Sequence, residues 1–243
     1  GMVLNKNKFW MIGDPNYPAT LRSSDILSDG SIAPEAWPTR NSYEPSENSG
    51  RLMSINILNK QLSIKGDFGE WIIQVADPTD YLAVTAQRVS ELGILGPHAM
   101  IPFETSHIYP STRGFVETNG GNAKFILPDV EPLITPMGME EAMGINAGLV
   151  SYFTFSIPSG PRTAKIDLYR GTPRIAHMNA LKHDWLMFDS IRDKVYAVHN
   201  GGVYILDSGS LDESCSYSGH GEMLSYLKSK VYRPGANTLW TRM

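Results

Sequence analysis

Cysteine is almost missing: Cys215 is the single one in 243 residues, so no disulfide can form within one copy, which fits a reducing compartment or a particle assembled inside one. Charge is sparse, with 19% charged against 42% hydrophobic residues and a formal net charge of −4. No global basic field is available to recruit nucleic acid. No run reaches the roughly 18 apolar residues of a membrane-spanning helix. The amino terminus, GMVLNKNKFW, lacks the apolar core of a signal peptide, and Gly1 ahead of Met2 reads as an expression scar.

Helical patterning is equally scarce. The 16 prolines interrupt the chain throughout, and few windows keep an i, i+3, i+4 apolar stripe. The best candidates are Met137 to Ala147, with Met139, Met143 and Ala147 in phase, and a turn around Ala33 to Trp37. What is present is strand: Phe9 to Ile12, Leu52 to Leu58, Gln61 to Ile64, Glu70 to Val75, His98 to Ile101, His107 to Tyr109, Ala123 to Leu127, Leu149 to Ile157 and Ala164 to Tyr169. Turn chemistry at Gly66-Asp67, Asn119-Gly120-Gly121, Ser159-Gly160-Pro161 and Asn200-Gly201-Gly202 separates such runs. The expected class is all-β.

The stretch DKVYAVHNGGVYILDSG, residues 193–209, is a hairpin pattern that has counterparts upstream. Large apolar residues at Trp10, Leu62, Tyr109, Phe153 and Tyr196 anchor five such modules, spaced by 52, 47, 44 and 43 residues. A β-module recurring at this interval suits the blades of a β-propeller, in which radial stacking covers both faces of each small sheet. The expectation is a propeller of five blades over residues 1–221, with modules near 7–50, 51–80, 81–130, 148–178 and 184–212. Residues 222–243 then close the ring or open a truncated β domain. A sandwich is the alternative, though it does not call for near-constant spacing.

Three stretches carry a family resemblance. GDPNYPATLRSSDILSDGSIAPEAWP (residues 13–38) joins a Gly-Asp-Pro turn to a motif of Pro34, Glu35, Trp37 and Pro38. QRVSELGILGPHAMIPF (residues 87–103) leads through Gly and Pro into the next module, and the 193–209 hairpin precedes LKSKVYRPGANTLWTRM. In this order they resemble β-propeller proteins of tailed-phage particles and prophages, of the tail or DNA-stabilisation type. The resemblance implies a structural, docking role in a virion or the host cytoplasm, with other particle or tail proteins as partners and no catalytic residues. Members of that family usually have more chain on both sides.

Chemistry-bearing patterns are weak. His177 and His183 in HMNALKHD stand six apart, unlike a zinc pair on one helix or strand face, and read as surface histidines; no metal site and no cofactor is expected. Asp14, Asp67, Glu91 and Asp167 fall near strands or turns of different modules and could arm a five-bladed glycoside hydrolase, yet Asp14 and Asp67 sit in Gly-Asp turns where aspartate caps backbone amides. Glu140 and Glu141 are adjacent and splayed. There is no G-x-S-x-G elbow and no phosphate loop. Lys228 and Lys230 fit a protected edge strand as well as a nucleic-acid contact.

The remaining feature is the long, Pro- and Ser-rich segment Asp14 to Gly50, a binding-loop candidate. Its aromatic residues Trp37, Tyr43 and Tyr17 are the candidate binding residues, with stacking on a surface glycan as the chemistry. The expected function is a non-enzymatic adaptor that docks proteins; a glycoside hydrolase or carbohydrate-binding propeller is the alternative.

Overall fold

A computed structural model of the chain describes residues 1–77, 83–103, 105–127, 136–167, 173–179, 183–199, 201–206, 228–231 and 239–242. The chain divides into two compact units, Gly1–Pro136 and Met137–Met243. Both are built from small antiparallel sheets, so the all-β class holds.

Among the described residues, three four-stranded sheets and one two-stranded ladder make up the first unit. Strands β1 (Met2–Asn5), β2 (Lys8–Met11) and β3 (Leu21–Ser23) form the first together with β6 (Ser42–Tyr43), while β4 (Asp25–Ile26) and β5 (Ile32–Ala33) make a small ladder of their own. The second sheet runs β7 (Leu52–Leu58), β8 (Gln61–Gly66), β9 (Gly69–Val75) and β10 (Val84–Ser90), each strand beside the next. The third does the same with β11 (Ile101–Phe103), β12 (Ser106–Ser111), β13 (Gly114–Thr118) and β14 (Ala123–Ile126). Tight turns make this possible. The β1–β2 turn places Lys6 and Asn7 at φ of 48° and 58°, and the β7–β8 turn places Asn59 and Lys60 at 50° and 67°. Positive φ at both central residues matches the right-handed twist of the flanking strands.

The second sheet is buried on both faces. On one, Leu62, Ile64, Trp71 and Ile73 pack with Trp10, Ile12 and Leu21 of the first sheet and its flank. On the other lie Ser63, Lys65 and Glu70, which meet β12 of the third sheet. Register enforces the division: Ile64 pairs with Trp71 and Lys65 with Glu70, one residue on along β8 and one back along β9.

A single helical turn, α1 (Pro136–Met139), begins at the last residue of the first unit, and the second unit continues with a sheet of β15 (Met143–Ala147), β16 (Val150–Ile157), β17 (Gly160–Asp167) and β18 (Arg174–Asn179). A three-stranded sheet of β19 (Trp185–Asp189), β20 (Lys194–His199) and β21 (Gly202–Leu206) comes next, then the hairpin of β22 (Lys228–Val231) and β23 (Leu239–Arg242). The two larger sheets share a core of Met143, Tyr152, Leu186, Val195 and Ala197.

Two expectations need correction. The helix proposed for Met137 to Ala147 is limited to α1, and Met143–Ala147 is a strand. Met143, Ile145 and Ala147 also alternate with period two, and all three pack on the neighbouring sheet. Gly148, at φ 73°, then turns the chain into β16, which a helix could not do. The five anchors each fall on the second strand of a sheet, but they do not share a face. Trp10, Leu62, Tyr109 and Phe153 are buried, whereas Tyr196 is half-buried and its strand buries Val195 and Ala197 instead.

Gly93 shows how closely the connecting segments pack. A Cβ there would lie 1.9 Å from the Asp67 carbonyl oxygen, because residues 92–94 run along the β8–β9 turn and Ile94 N–H donates to Gly66 O at 3.0 Å. Gly93→Ala is expected to lower the unfolding free energy by about 2–3 kcal/mol; an unchanged urea midpoint would contradict this contact.

Candidate functional site

The most concentrated polar chemistry lies between the second and third sheets. Lys65 on β8 is fully buried, and its ammonium spends its three donors on three partners: Ser63 Oγ at 2.8 Å, Glu70 Oε1 at 3.0 Å and His107 Nδ1 at 3.0 Å. Ser63 Oγ also donates to Glu70 Oε1 at 3.0 Å. The Tyr109 hydroxyl reaches Glu70 Oε2 at 3.4 Å and Leu92 O at 3.3 Å, and the Lys65 ammonium lies 5.1 Å from the Tyr109 ring centroid. One cation and one carboxylate are therefore enclosed by neutral partners.

The electrostatics follow from enclosure. Burial pulls the Lys65 ammonium below its ordinary value, and Glu70 opposes that pull by charge and hydrogen bond. Burial, then the Lys65 charge, pushes His107 down to about 2, so its ring is neutral and Nδ1 accepts from the ammonium. Burial, then Glu70, raises the Tyr109 phenol. With every donor engaged and no exposed member, the cluster works as a fastening between sheets.

A second polar site lies between the first and second sheets. Lys8, Trp10, Ser23, Asn41, Tyr43 and Asp77 line a narrow cleft there. The structure thus brings Tyr43 to a cleft, on β6, where it pairs with Leu21 and packs on the core. Tyr17 and Trp37 lie elsewhere. Tyr17 closes the turn that begins at Asp14, its N–H donating to Asp14 O at 3.0 Å, and its side chain is 59% exposed. Trp37 is half-buried, with Nε1 donating to Pro34 O at 2.9 Å. Arg22 ties both segments down, pairing with Asp14 at 3.1 Å and donating to Trp37 O at 3.2 Å.

The acidic candidates occupy local roles. Asp14 accepts from Asn16 N–H at 2.9 Å in an Asx turn. Asp67 Oδ2 accepts from the Arg51 backbone N–H at 2.8 Å and pairs with its guanidinium at 3.2 Å. Glu91 makes none of the hydrogen bonds of the Lys65 cluster and does not line the cleft. Among the described residues no three His, Cys, Asp or Glu side chains gather as a metal cluster. His183 is a correction: it is buried rather than on the surface. Neither of its ring nitrogens finds a partner among the described residues, and its ring meets His199 edge-on at 6.1 Å. Burial, then His199, lowers it to about 4. The His177 side chain, Cys215 and most of the basic tail lie outside the described residues.

The Lys65 cluster escapes a sequence reading for a definite reason. In QLSIKGDFGEWIIQV, Ser63 and Lys65 alternate with Leu62 and Ile64, the pattern of a strand with one wet face. The available signal is Trp71-Ile72-Ile73, three apolar residues in a row, which marks β9 as buried on both faces.

Two measurements test this description. Lys65→Met or Glu70→Leu alone is expected to cost about 3–5 kcal/mol, since each leaves a buried charge unpaired. The double replacement Lys65→Met with Glu70→Leu should recover most of that loss in urea unfolding; strict additivity would contradict the pairing. The histidines predict a pH dependence. Both are neutral when folded but gain a proton when unfolded below about pH 6.5. Stability is thus complete above that pH and falls as pH drops towards the folded values of about 2 and about 4. The slope is about 1.4 kcal/mol per pH unit for each histidine. His107→Gln should remove one of the two contributions, and a flat profile between pH 6.5 and 4 in the parent chain would refute the assignment.

No family model matches the chain, and no curated protein matches it. Among solved structures, it is similar to a chain in the nidogen/laminin complex at 8% identity, with a TM-score of 0.42 over 74% of this chain and 67% of that one. It is also similar to the extracellular domain assigned to a hybrid two-component system of B. thetaiotaomicron, at 11% identity and a TM-score of 0.35. That match covers 86% of this chain and 33% of the other, so the chain spans about a third of that protein's length. Both likenesses are too low to assign an activity.

Proposed function

We propose that the chain is a non-enzymatic docking module in which each successive sheet acts as one blade of a β-propeller, five blades in all. Sheets that follow one another in sequence support this reading, as does the face-to-face packing of the first on the second and of the fourth on the fifth. The near-constant spacing of the anchors points the same way. The setting, a tail or head-tail particle of a phage or prophage, rests on the sequence resemblance of residues 13–38, 87–103 and 193–209.

The observation that carries the docking role is the outer face of the fifth sheet. Trp185 and Met187 on β19 are each 52% exposed, and Val203 and Ile205 on β21 are 68% and 36% exposed. Tyr196 and Val198 of β20 lie between them in register, opposite Met187, Ile205, Trp185 and Val203. Six apolar side chains on one sheet face form a patch of the kind that marks a protein contact. Its occupant in this reading is a β-sheet of a neighbouring particle protein, since a flat, alternating face is complementary to another sheet.

Mass spectrometry of particles purified from a host that carries the gene should detect the protein. A Trp185→Asp, Val203→Asp variant should keep its circular dichroism spectrum and be lost from the particles. Absence of the parent protein, or equal incorporation of the variant, would overturn the proposal.

A further inference from the structure

Three hairpin turns of the first unit are tied in series by asparagine side chains. Asn5 Nδ2, beside the β1–β2 turn, donates to Lys60 O in the β7–β8 turn at 3.2 Å. Asn59 Nδ2, in that second turn, donates to Asn119 O in the β13–β14 turn at 3.3 Å. The third turn, Asn119-Gly120-Gly121-Asn122, carries one of the two Asn-Gly pairs in the chain. In such a pair a side-chain carboxamide stands next to a backbone nitrogen that no side chain shields.

The fold holds this pair in a definite arrangement. Gly120 has φ of 85°, and a Cβ on it would stand 3.2 Å from Leu58 Cδ2 and 3.3 Å from Ile72 Cδ1. Packing on the second sheet therefore keeps the position glycine. Asn119 Oδ1 accepts from two backbone donors, Gly121 N–H at 3.1 Å and Asn122 N–H at 3.0 Å. Paired N–H groups at such distances stabilise an oxyanion. The Gly120 N–H donates to Thr118 Oγ1 at 3.2 Å, so its proton is directed at the hydroxyl and away from the carboxamide. Asn119 itself is exposed, which gives water access to the carboxamide.

We infer that Asn119 is a self-modifying site, converted through a cyclic imide to aspartate and isoaspartate with water as the co-reactant. The Gly120 nitrogen gives its proton to hydroxide or water and attacks Asn119 Cγ. The new C–N bond places negative charge on Oδ1, between the two N–H donors. Collapse breaks the Cγ–Nδ2 bond, and Nδ2 takes a proton from water and leaves as ammonia. A second water opens the ring: cleavage at Cγ gives aspartate, and cleavage at the backbone carbonyl gives isoaspartate. One ammonia is lost and one water gained, with nothing oxidised or reduced. Both products add a negative charge. Isoaspartate also lengthens the main chain by one carbon at the carbonyl that Asn59 holds. The site concerns the first unit alone and stands apart from the fifth-sheet face.

The test is incubation of the full chain in mildly alkaline buffer, once folded and once in guanidinium chloride. The tryptic peptide Gly114–Lys124 is then followed by mass spectrometry. Exchange of one NH for one O is expected in that peptide, about tenfold faster in the folded chain, because both donors are in place before the reaction. A folded rate equal to or below the unfolded one would overturn the inference, since the turn would then shield the pair. Asn119→Gln should abolish the exchange; exchange that persists would belong to Asn122, in the same peptide, and would overturn the assignment. Gly121→Pro removes one of the two donors and should slow the folded rate about tenfold, with a circular dichroism spectrum like the parent's. A correctly folded Gly121→Pro variant that reacts as fast as the parent would show that Oδ1 needs no such support, against the inference.

Discussion

The first unit depends on one ion pair being placed where no water reaches. Lys65 and Glu70 lie opposite each other on neighbouring strands, and the third sheet covers them. A charge in that position is tolerable only if each of its hydrogen-bonding positions is filled. Ser63, His107 and Tyr109 fill them from two strands of different sheets. The contact therefore fixes both the separation and the register of β8 and β12, which apolar packing by itself leaves free to slide. Residues 92–94 then close the cluster from above through the Tyr109 hydroxyl and the absent side chain at Gly93.

Much of this was legible in the sequence. Strand alternation, Gly- and Asn-bearing turns and the recurrence of large apolar residues gave the all-β class and put each anchor on the second strand of its sheet. Alternation states which residues share a face. It does not state whether that face is wet. Lys65 and Tyr196 are the two sides of this ambiguity: the lysine reads as solvated and is enclosed, while the tyrosine reads as core and is only half-buried. Met143 to Ala147 fails differently, since a five-residue stretch with apolar ends satisfies helical and extended spacing alike, and only the glycine that follows decides between them.

The candidate binding residues divide along similar lines. Loop length and aromatic content singled out Trp37, Tyr43 and Tyr17, but aromatic rings in proline-rich loops are also used to hold those loops together. Trp37 is committed to Pro34 and Tyr43 to the core, which leaves Tyr17 as the exposed ring.

The saturated ammonium of Lys65 has a consequence for observing the molecule. Its three protons are each held in a hydrogen bond and shielded from solvent, so they can exchange with water only when the second and third sheets separate. A lysine side chain whose protons persist on that timescale is an internal clock for sheet opening. It reports on the joint between two modules without any label being placed there.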